Sequence, residues 1–509
     1  MNSEPRSYSR RVWAWTMYDW ANSAFATTIL AAVLPVYYSQ VAASTLANPA
    51  QATAYWSTGL SVSLVLVALL SPVLGTVSDI TRGKKTFLSL FAGLGIVGTG
   101  LLVLVKSGDW LLASLLFVLG RVGFASANVF YDSLLPHVAA PEDQDRVSTR
   151  GFAMGYLGGG LLLAVNVLMI QFIPGTLGPR LCFLSVALWW ALFSIPILVS
   201  VPEPRTLTAR LSSGQSVLSV SFGRLWSTLK DIKQYRELFK FMLAVLIYAD
   251  GIGTIIGVAA IYGAELGFGS LELILALLLV QFVGIPFSII FGRLPGSKTR
   301  NRPVVLAFVV FNMLLLPVLG VLGSRLLPPA VSGGPPLHRG NLPLIFGSLL
   351  AVQVFCLALA FLLGKPLFKG LAERMDTKRS LFLALLVYAV VTVWGFFLSS
   401  VIEFWFLAWL VAVVQGGSQA LSRSLFSSMI PAPKSGEFFG LYGIMEKVAT
   451  IFGPLVFAAA ATLSGSSRPA VLSLIVFFIA GMILLSRVDV AAGRRAAREE
   501  EDRLAGQLQ

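Results

Sequence analysis

Asp19, Asn22, Ser23, Ala26 and Thr27 fall at i, i+3, i+4, i+7 and i+8 of an otherwise apolar run, which puts them on one face of a helix. Arg121, Ala125, Asn128 and Asp132 repeat the pattern in another run. Asp250 and Thr254 share a face in a third, and Gln415, Ser418, Gln419, Ser422 and Phe426 form a mostly polar stripe in a fourth. In a fifth, Glu446, Thr450 and Gly453 share a face, and the adjacent Lys447 points elsewhere. A charge at the centre of a membrane helix costs ~2.5–3.5 kcal/mol on insertion scales. Such faces must therefore line an aqueous cavity or hydrogen-bond between closely packed helices. Arg121 stays protonated, so at mid-span it needs a carboxylate on a neighbouring helix or an anionic group on a solute. The chemistry on offer is recognition of a small polar molecule and the holding and release of protons. His137 and His338 are loop residues without metal-spaced partners, and Cys182 and Cys356 lie in apolar runs. There is no P-loop, so neither catalysis, a metal nor a cofactor is expected.

The elements that must position these faces are long. Of 509 residues, 56% are hydrophobic and only 12% are charged, about half the charge of a soluble domain. A soluble enzyme, a nucleic-acid binder and a disordered scaffold are excluded on that ground. Fourteen apolar runs, at roughly 15–40, 55–78, 86–105, 110–133, 151–173, 181–201, 239–264, 271–292, 303–323, 343–364, 380–400, 404–425, 438–462 and 470–487, are each long enough to cross a bilayer as a helix. The runs are continuous, not alternating, which rules out a barrel. The fold expected is all-α and polytopic.

Charge orients the spans. With both termini in the cytoplasm, 31 of the 38 Lys and Arg fall on that side, five on the other, and Arg121 and Lys447 within spans. Arg423 is counted among the cytoplasmic group. This is the positive-inside pattern, and it accounts for the +14 net charge without nucleic acid. No cleaved signal peptide is read at the N-terminus. Residues 1–201 form one six-helix half, 202–238 a cytoplasmic linker, 239–488 a second half and 489–509 a cytoplasmic tail. In the linker, Phe222, Leu225, Trp226, Leu229 and Ile232 recur at helical spacing opposite Arg224, Lys230, Lys233 and Arg236. That helix either lies on the inner leaflet or packs on the bundle.

The halves repeat. Pro72, Asp79 and Lys84-Lys85 recur 294 residues later as Pro366, Glu373 and Lys378-Arg379, whereas Tyr18-Asp19 and Tyr248-Ala249-Asp250 put their acids only 231 apart. The 63-residue difference is one helical hairpin, inserted within 271–366. Gly75, Asp79, Lys84 and Lys85, with Glu373, Lys378 and Arg379, read as a latch that bridges helix ends when the cytoplasmic side closes, or as simple cytoplasmic anchoring. The glycines at 151, 155 and 159 permit close helix approach, and Gly158 to Gly160 allow bending.

Two six-helix halves in parallel repeat, joined by a cytoplasmic linker, resemble the major facilitator superfamily. The turn from Gly75 to Lys85 resembles that superfamily's signature between helices 2 and 3, with one extra residue between the acid and the glycine. The run Tyr18 to Ile29 (YDWANSAFATTI) resembles the opening of the superfamily's vacuole-effluxer branch, which includes autophagy-related vacuolar amino-acid effluxers and bacterial relatives. Phe130 to Pro136 (FYDSLLP), Gly155 to Gly160 (GYLGGG), Ile261 to Glu265 (IYGAE), Gln415 to Ser424 (QGGSQALSRS) and Gly453-Pro454 extend the match. The resemblance implies a monomeric secondary transporter in the plasma, or bacterial inner, membrane. It would export an amino acid or related metabolite by alternating access, with protons as candidate coupling ion. A different organic or lipid-like solute, a non-transporting receptor or scaffold, and a membrane enzyme are the alternatives. The last is disfavoured by the scattered loop acids.

The topology is directly testable. With single cysteines at Ser213 and Ser332, an impermeant thiol reagent on intact cells should label position 332 and spare 213; the reverse would overturn the orientation.

Overall fold

The computed structural model describes residues 3–47, 49–204, 216–230, 233–268, 270–296, 301–326, 342–448 and 452–506. Thirteen helices among them are long and apolar enough to cross a membrane. The first span, Arg6–Ala42, begins in α1 (Ser3–Ala24) and passes through a π-helical stretch, Phe25–Ala32. It is followed by α2 (Pro49–Thr81), α3 (Lys84–Leu101), α4 (Trp110–Ser133), α5 (Gln144–Phe172) and α6 (Leu177–Ser200). The linker holds α7 (Val217–Lys230). Then come α8 (Arg236–Glu265), α9 (Ser270–Arg293), α10 (Arg302–Leu326), α11 (Leu342–Glu373), α12 (Thr377–Phe397) and α13 (Val401–Ser427). The run expected as one span over 438–462 is described as two helices, α14 (Ser435–Val448) and α15 (Phe452–Ser464). The last span is α16 (Ser467–Ser486), and a terminal helix α17 (Val490–Gly506) follows.

Buried apolar side chains gather into two large cores. One draws on residues 12–201 and the other on 235–488, with Val129 of α4 reaching into the second. Packing identifies the inserted hairpin. Helix α9 lies against α5 and α13, whereas α11 packs along α10. The pair α10–α11 is therefore the peripheral addition, and α11 turns Val354, Leu362 and Leu367 outward.

The end that carries the basic loops is sealed between the halves. Gly75 and Gly440 let the backbones of α2 and α14 touch: a Cβ on Gly75 would land on the Gly436 carbonyl, and one on Gly440 would overlap the backbone of Ser71 and Pro72. Asp79 accepts the N–H groups of Gly436 (3.1 Å) and Glu437 (2.8 Å), the free donors of the first turn of α14. The Lys84 ammonium pairs with the same carboxylate, and both side chains are wholly buried. Arg82, at φ +57°, ends α2 in the left-handed region that glycine usually fills. Glu203 then caps α3 by accepting the N–H groups of Lys84 (2.7 Å) and Lys85 (2.9 Å).

The second acidic turn does not mirror the first. Glu373 ends the peripheral α11 and is exposed. Lys378 donates to the carbonyls of Ser486 (2.9 Å) and Val488 (2.7 Å), and Arg379 donates to the Arg374 carbonyl. Of the two expected latch turns, only the first reaches the other half, because the repeat of the motif rides on the inserted hairpin, away from the seam. The Lys85 N–H goes to Glu203.

On the same end, α17 lies against the second half. Glu500, with no exposed side-chain surface, accepts from Lys434 (2.6 Å) and Arg503 (2.7 Å), and Glu501 accepts the Ala432 N–H (2.7 Å). Burial alone would raise the Glu500 pKa; the hydrogen bonds from Arg503, Lys434 and Gln234 outweigh it and hold the carboxyl below its ordinary range.

Asp79→Asn leaves Lys84 buried without its carboxylate, and breaking such a pair costs about 3–5 kcal/mol. A cysteine at the buried seam residue Ser78 should then react faster with a water-soluble maleimide, and transport should slow with substrate affinity little changed. An unchanged rate at position 78 would remove the latch.

Candidate functional site

A cavity of about 490 Å³ lies between the halves. Helices α1, α4 and α5 form one wall, and α8, α9, α13 and α14 the other. Nine of the expected residues line it: Asp19, Asn22, Ser23, Thr27, Asn128, Asp132, Gln415, Gln419 and Glu446. The polar face of α1 meets α4 and α5 as its small residues require. Asn22 Nδ2 donates to Asn128 Oδ1 at 2.6 Å, and Thr27 Oγ1 donates to the Gly159 carbonyl at 3.2 Å. Gly151, Gly155 and Gly159 bring α5 onto this face: a Cβ at each would meet Asp19, Ser23 and Thr27 in turn. The π-helical stretch begins at Phe25, within this face. Such stretches re-aim side chains inside a helix and recur at functional sites.

At the sealed end of the cavity sits Arg423, 5% exposed. It projects from α13 of the second half into the first. Nη1 lies 2.9 Å from Asp132 Oδ1, and Nη2 lies 3.3 Å from Asp19 Oδ2. Nε donates to Ser148 Oγ at 2.9 Å, and Nη2 donates to the Ser148 carbonyl at 3.0 Å. Three rings surround the guanidinium, with centroids at 4.6 Å (Phe152), 4.8 Å (Trp15) and 5.5 Å (Tyr131). Tyr131 OH donates to Asp19 Oδ2 at 2.6 Å, and Trp15 Nε1 donates to the Tyr131 carbonyl at 3.1 Å. This is the fork-shaped, stackable cation that a buried two-carboxylate site requires. From the sequence Arg423 reads as one of the cytoplasmic positive charges; the structure places it in the seam. The signal that could have found it is its spacing: Gln415, Gln419 and Arg423 stand four apart, on one helical face.

Other expectations are corrected. Asp250 does not line the cavity; it accepts the Gly453 N–H at 2.8 Å and so caps α15. A single helix over 438–462 would offer no free N-terminus to cap; the separate start of α15 at Phe452 provides one. Arg121 lies one turn beyond the lining residues of α4 and forms no ion pair among the described residues. The Lys447 side chain lies outside the described residues. Lining residues that sequence reasoning missed include Tyr156, Tyr248, Gln281 and Tyr442. The amides of Gln281, Gln415 and Gln419 have no hydrogen-bond partner in the described structure and are free for a solute. Glu446 likewise forms no ion pair, so three carboxylates (Asp19, Asp132 and Glu446) face one guanidinium among the described lining residues. No grouping of His, Cys, Asp or Glu among the described residues could hold a metal ion.

Comparison with known proteins agrees with this architecture. The family described as vacuole effluxer Atg22-like matches residues 8–331 and 346–498. The MFS-type transporter YxiO of Bacillus subtilis (strain 168) is 32% identical over 504 residues, covering 98% of this chain and 99% of that protein. Autophagy-related protein 22-1 of Penicillium rubens is 22% identical, covering 86% of this chain and 75% of its own. Among solved structures, the proton:xylose symporter XylE shares the fold with a TM-score of 0.56 at 12% identity, over 95% of both chains. A bacterial homologue of the iron transporter ferroportin also gives 0.56 at 12% identity, covering 94% of this chain and 98% of that one. With a family match over nearly its whole length, the chain belongs to the Atg22-like vacuole-effluxer family of the major facilitator superfamily, and is a multi-pass membrane transporter, not an enzyme.

Proposed function

We propose that the chain is a secondary active transporter that exports a small amino-bearing solute, an amino acid or a related metabolite, by alternating access. Protons serve as the coupling ion, the monomer is the working unit, and both termini lie in the cytoplasm of a plasma membrane. The carrying observation is the cavity between the halves with the Arg423 cluster at its base. The hydrogen bonds between the halves gather on the basic side of it: Asp79 with Gly436 and Glu437, Ser148 with Arg423 and Ala420, Asp145 with Ser424 and Thr377, and His137 with Ser435. A positive-inside reading makes that side cytoplasmic, so this conformation faces outward.

The lining supports an amine. Three carboxylates against one guanidinium leave negative charge for a cation or for protons, and the free amides offer donors and acceptors to a carboxyl or carbonyl. Tyr156, Tyr248 and Tyr442 supply ring faces that suit an ammonium. Asp19 and Asp132 share Arg423 only while the seam is closed. When the halves part there, each carboxylate loses a cation, and a proton can take its place. That exchange ties proton binding to the state of the seam.

The test is purified protein in liposomes, screened with amino acids and simple amines under an imposed pH gradient. Flux that responds to the gradient is expected; absence of flux for every solute would overturn the reading. Asp19→Asn should abolish gradient-driven accumulation while sparing solute counterflow, which moves no net protons. Normal accumulation would reduce Asp19 to packing. Glu446→Gln should raise KM for the amine about tenfold or more, the weight of a charge-assisted hydrogen bond. An unchanged KM would move the ammonium site elsewhere.

A further inference from the structure

Helix α7 joins the halves at the sealed end. It packs along α2, and Leu225 adds to the core of the second half. Ser221 and Thr228 are buried on this inner side. Arg224 reaches the buried Glu437 carboxylate at 3.2 Å. Glu437 is also the residue whose N–H is held by Asp79. The first turn of α14 is thus tied to the first half through the Glu437 backbone and to the linker through its side chain.

The opposite side of α7 is built differently. Phe222 and Trp226, one turn apart, are 57% and 61% exposed. One turn further, the Lys230 ammonium lies over the Trp226 ring, 5.4 Å from its centroid. Lys233 and Arg236 are exposed beyond it. Residues 216–230 contain no acid. Because Asp79 and Glu437 sit at the ends of α2 and α14, the helix lies at the level where spans leave the membrane. Two rings beside ammonium and guanidinium groups at that level match an anionic leaflet, with rings at the acyl boundary and cations among phosphates.

We infer that α7 is an anionic-lipid clamp on the seal: docking of Phe222, Trp226 and Lys230 into a leaflet of anionic phospholipid favours the conformation in which Arg224 holds Glu437. A leaflet shifts an equilibrium only if it binds one conformation better. With Arg224 paired to Glu437, α7 turns both rings outward. Withdrawal of α14 removes that grip and the packing of Leu225 on the second core, so that only the contact with α2 still sets the rotation of α7. The clamp does not depend on which solute is carried.

The test uses the full chain with Ser78→Cys, in nanodiscs of phosphatidylcholine alone or mixed with phosphatidylglycerol. Native Cys182 and Cys356 are buried. A water-soluble maleimide then reports seam opening. Labelling should be about fivefold slower in the anionic discs, the weight of one basic residue at an anionic surface. The difference should vanish when Phe222→Ser, Trp226→Ser and Lys230→Gln are combined; these side chains are exposed, and unchanged circular dichroism would verify folding. Arg224→Gln should speed labelling in both lipids. Equal rates in the two discs for the parent protein, or a lipid difference that survives in the triple variant, would overturn the clamp. Absence of solute flux would overturn the transport reading and leave this one standing.

Discussion

A guanidinium cannot shed its proton, so burying one between two half-molecules dictates what must surround it. Arg423 meets that demand with Asp132, Asp19 and two groups of Ser148. Each partner is itself held: Asp19 by Tyr131, and Tyr131 by Trp15. The small face of α5, the polar face of α1 and the acid end of α4 all converge on this one side chain of the opposite half. The arrangement is specific to one registration of the halves, because sliding α13 by a turn would strand three charges in a medium that does not solvate them. Such a cluster adds little net stability compared with a well-packed apolar contact. Its value is that it distinguishes one arrangement of the halves from others.

A second device recurs at the starts of four helices. Asp79 serves α14, Glu203 serves α3, Asp250 serves α15 and Glu265 accepts the Ser467 N–H (3.1 Å) at the start of α16. In each, a carboxylate reached from another element satisfies free N–H groups and meets the positive end of the helix dipole, worth about 0.3–1 kcal/mol at exposed sites and up to ~2 kcal/mol when partly buried. Of these four acids, Asp79 alone joins the two halves.

Much of this was legible in the sequence because a bilayer imposes strong rules. Span length and charge asymmetry produced the order of helices, and helical spacing brought out the faces of α1, α4, α13 and α14 that line the cavity. What stayed hidden was partnership across elements. Arg423 looks like any positive charge at a span end, and only its register with Gln415 and Gln419 marks it as inward. Asp250 copies the position of Asp19, yet the start of a helix at Phe452 beside it turns it into a cap. Glu373 copies the spacing of Asp79, but spacing does not reveal that its helix belongs to a hairpin set outside the seam.

Part of the seam, where α2 meets α14, is made of backbone. Where Gly75 and Gly440 lie against Gly436, Ser71 and Pro72, the approaching surfaces carry no side chain to order. Freezing a long side chain costs up to about 2 kcal/mol of entropy, and glycine has none to lose. The α2–α14 contact therefore closes without a search among its own rotamers. The two faces meet as rigid rails, and once the carboxylate of Asp79 is in place the contact can be made and unmade without rearrangement on either side. A joint of this kind suits a part that must cycle many times without wear in its fit.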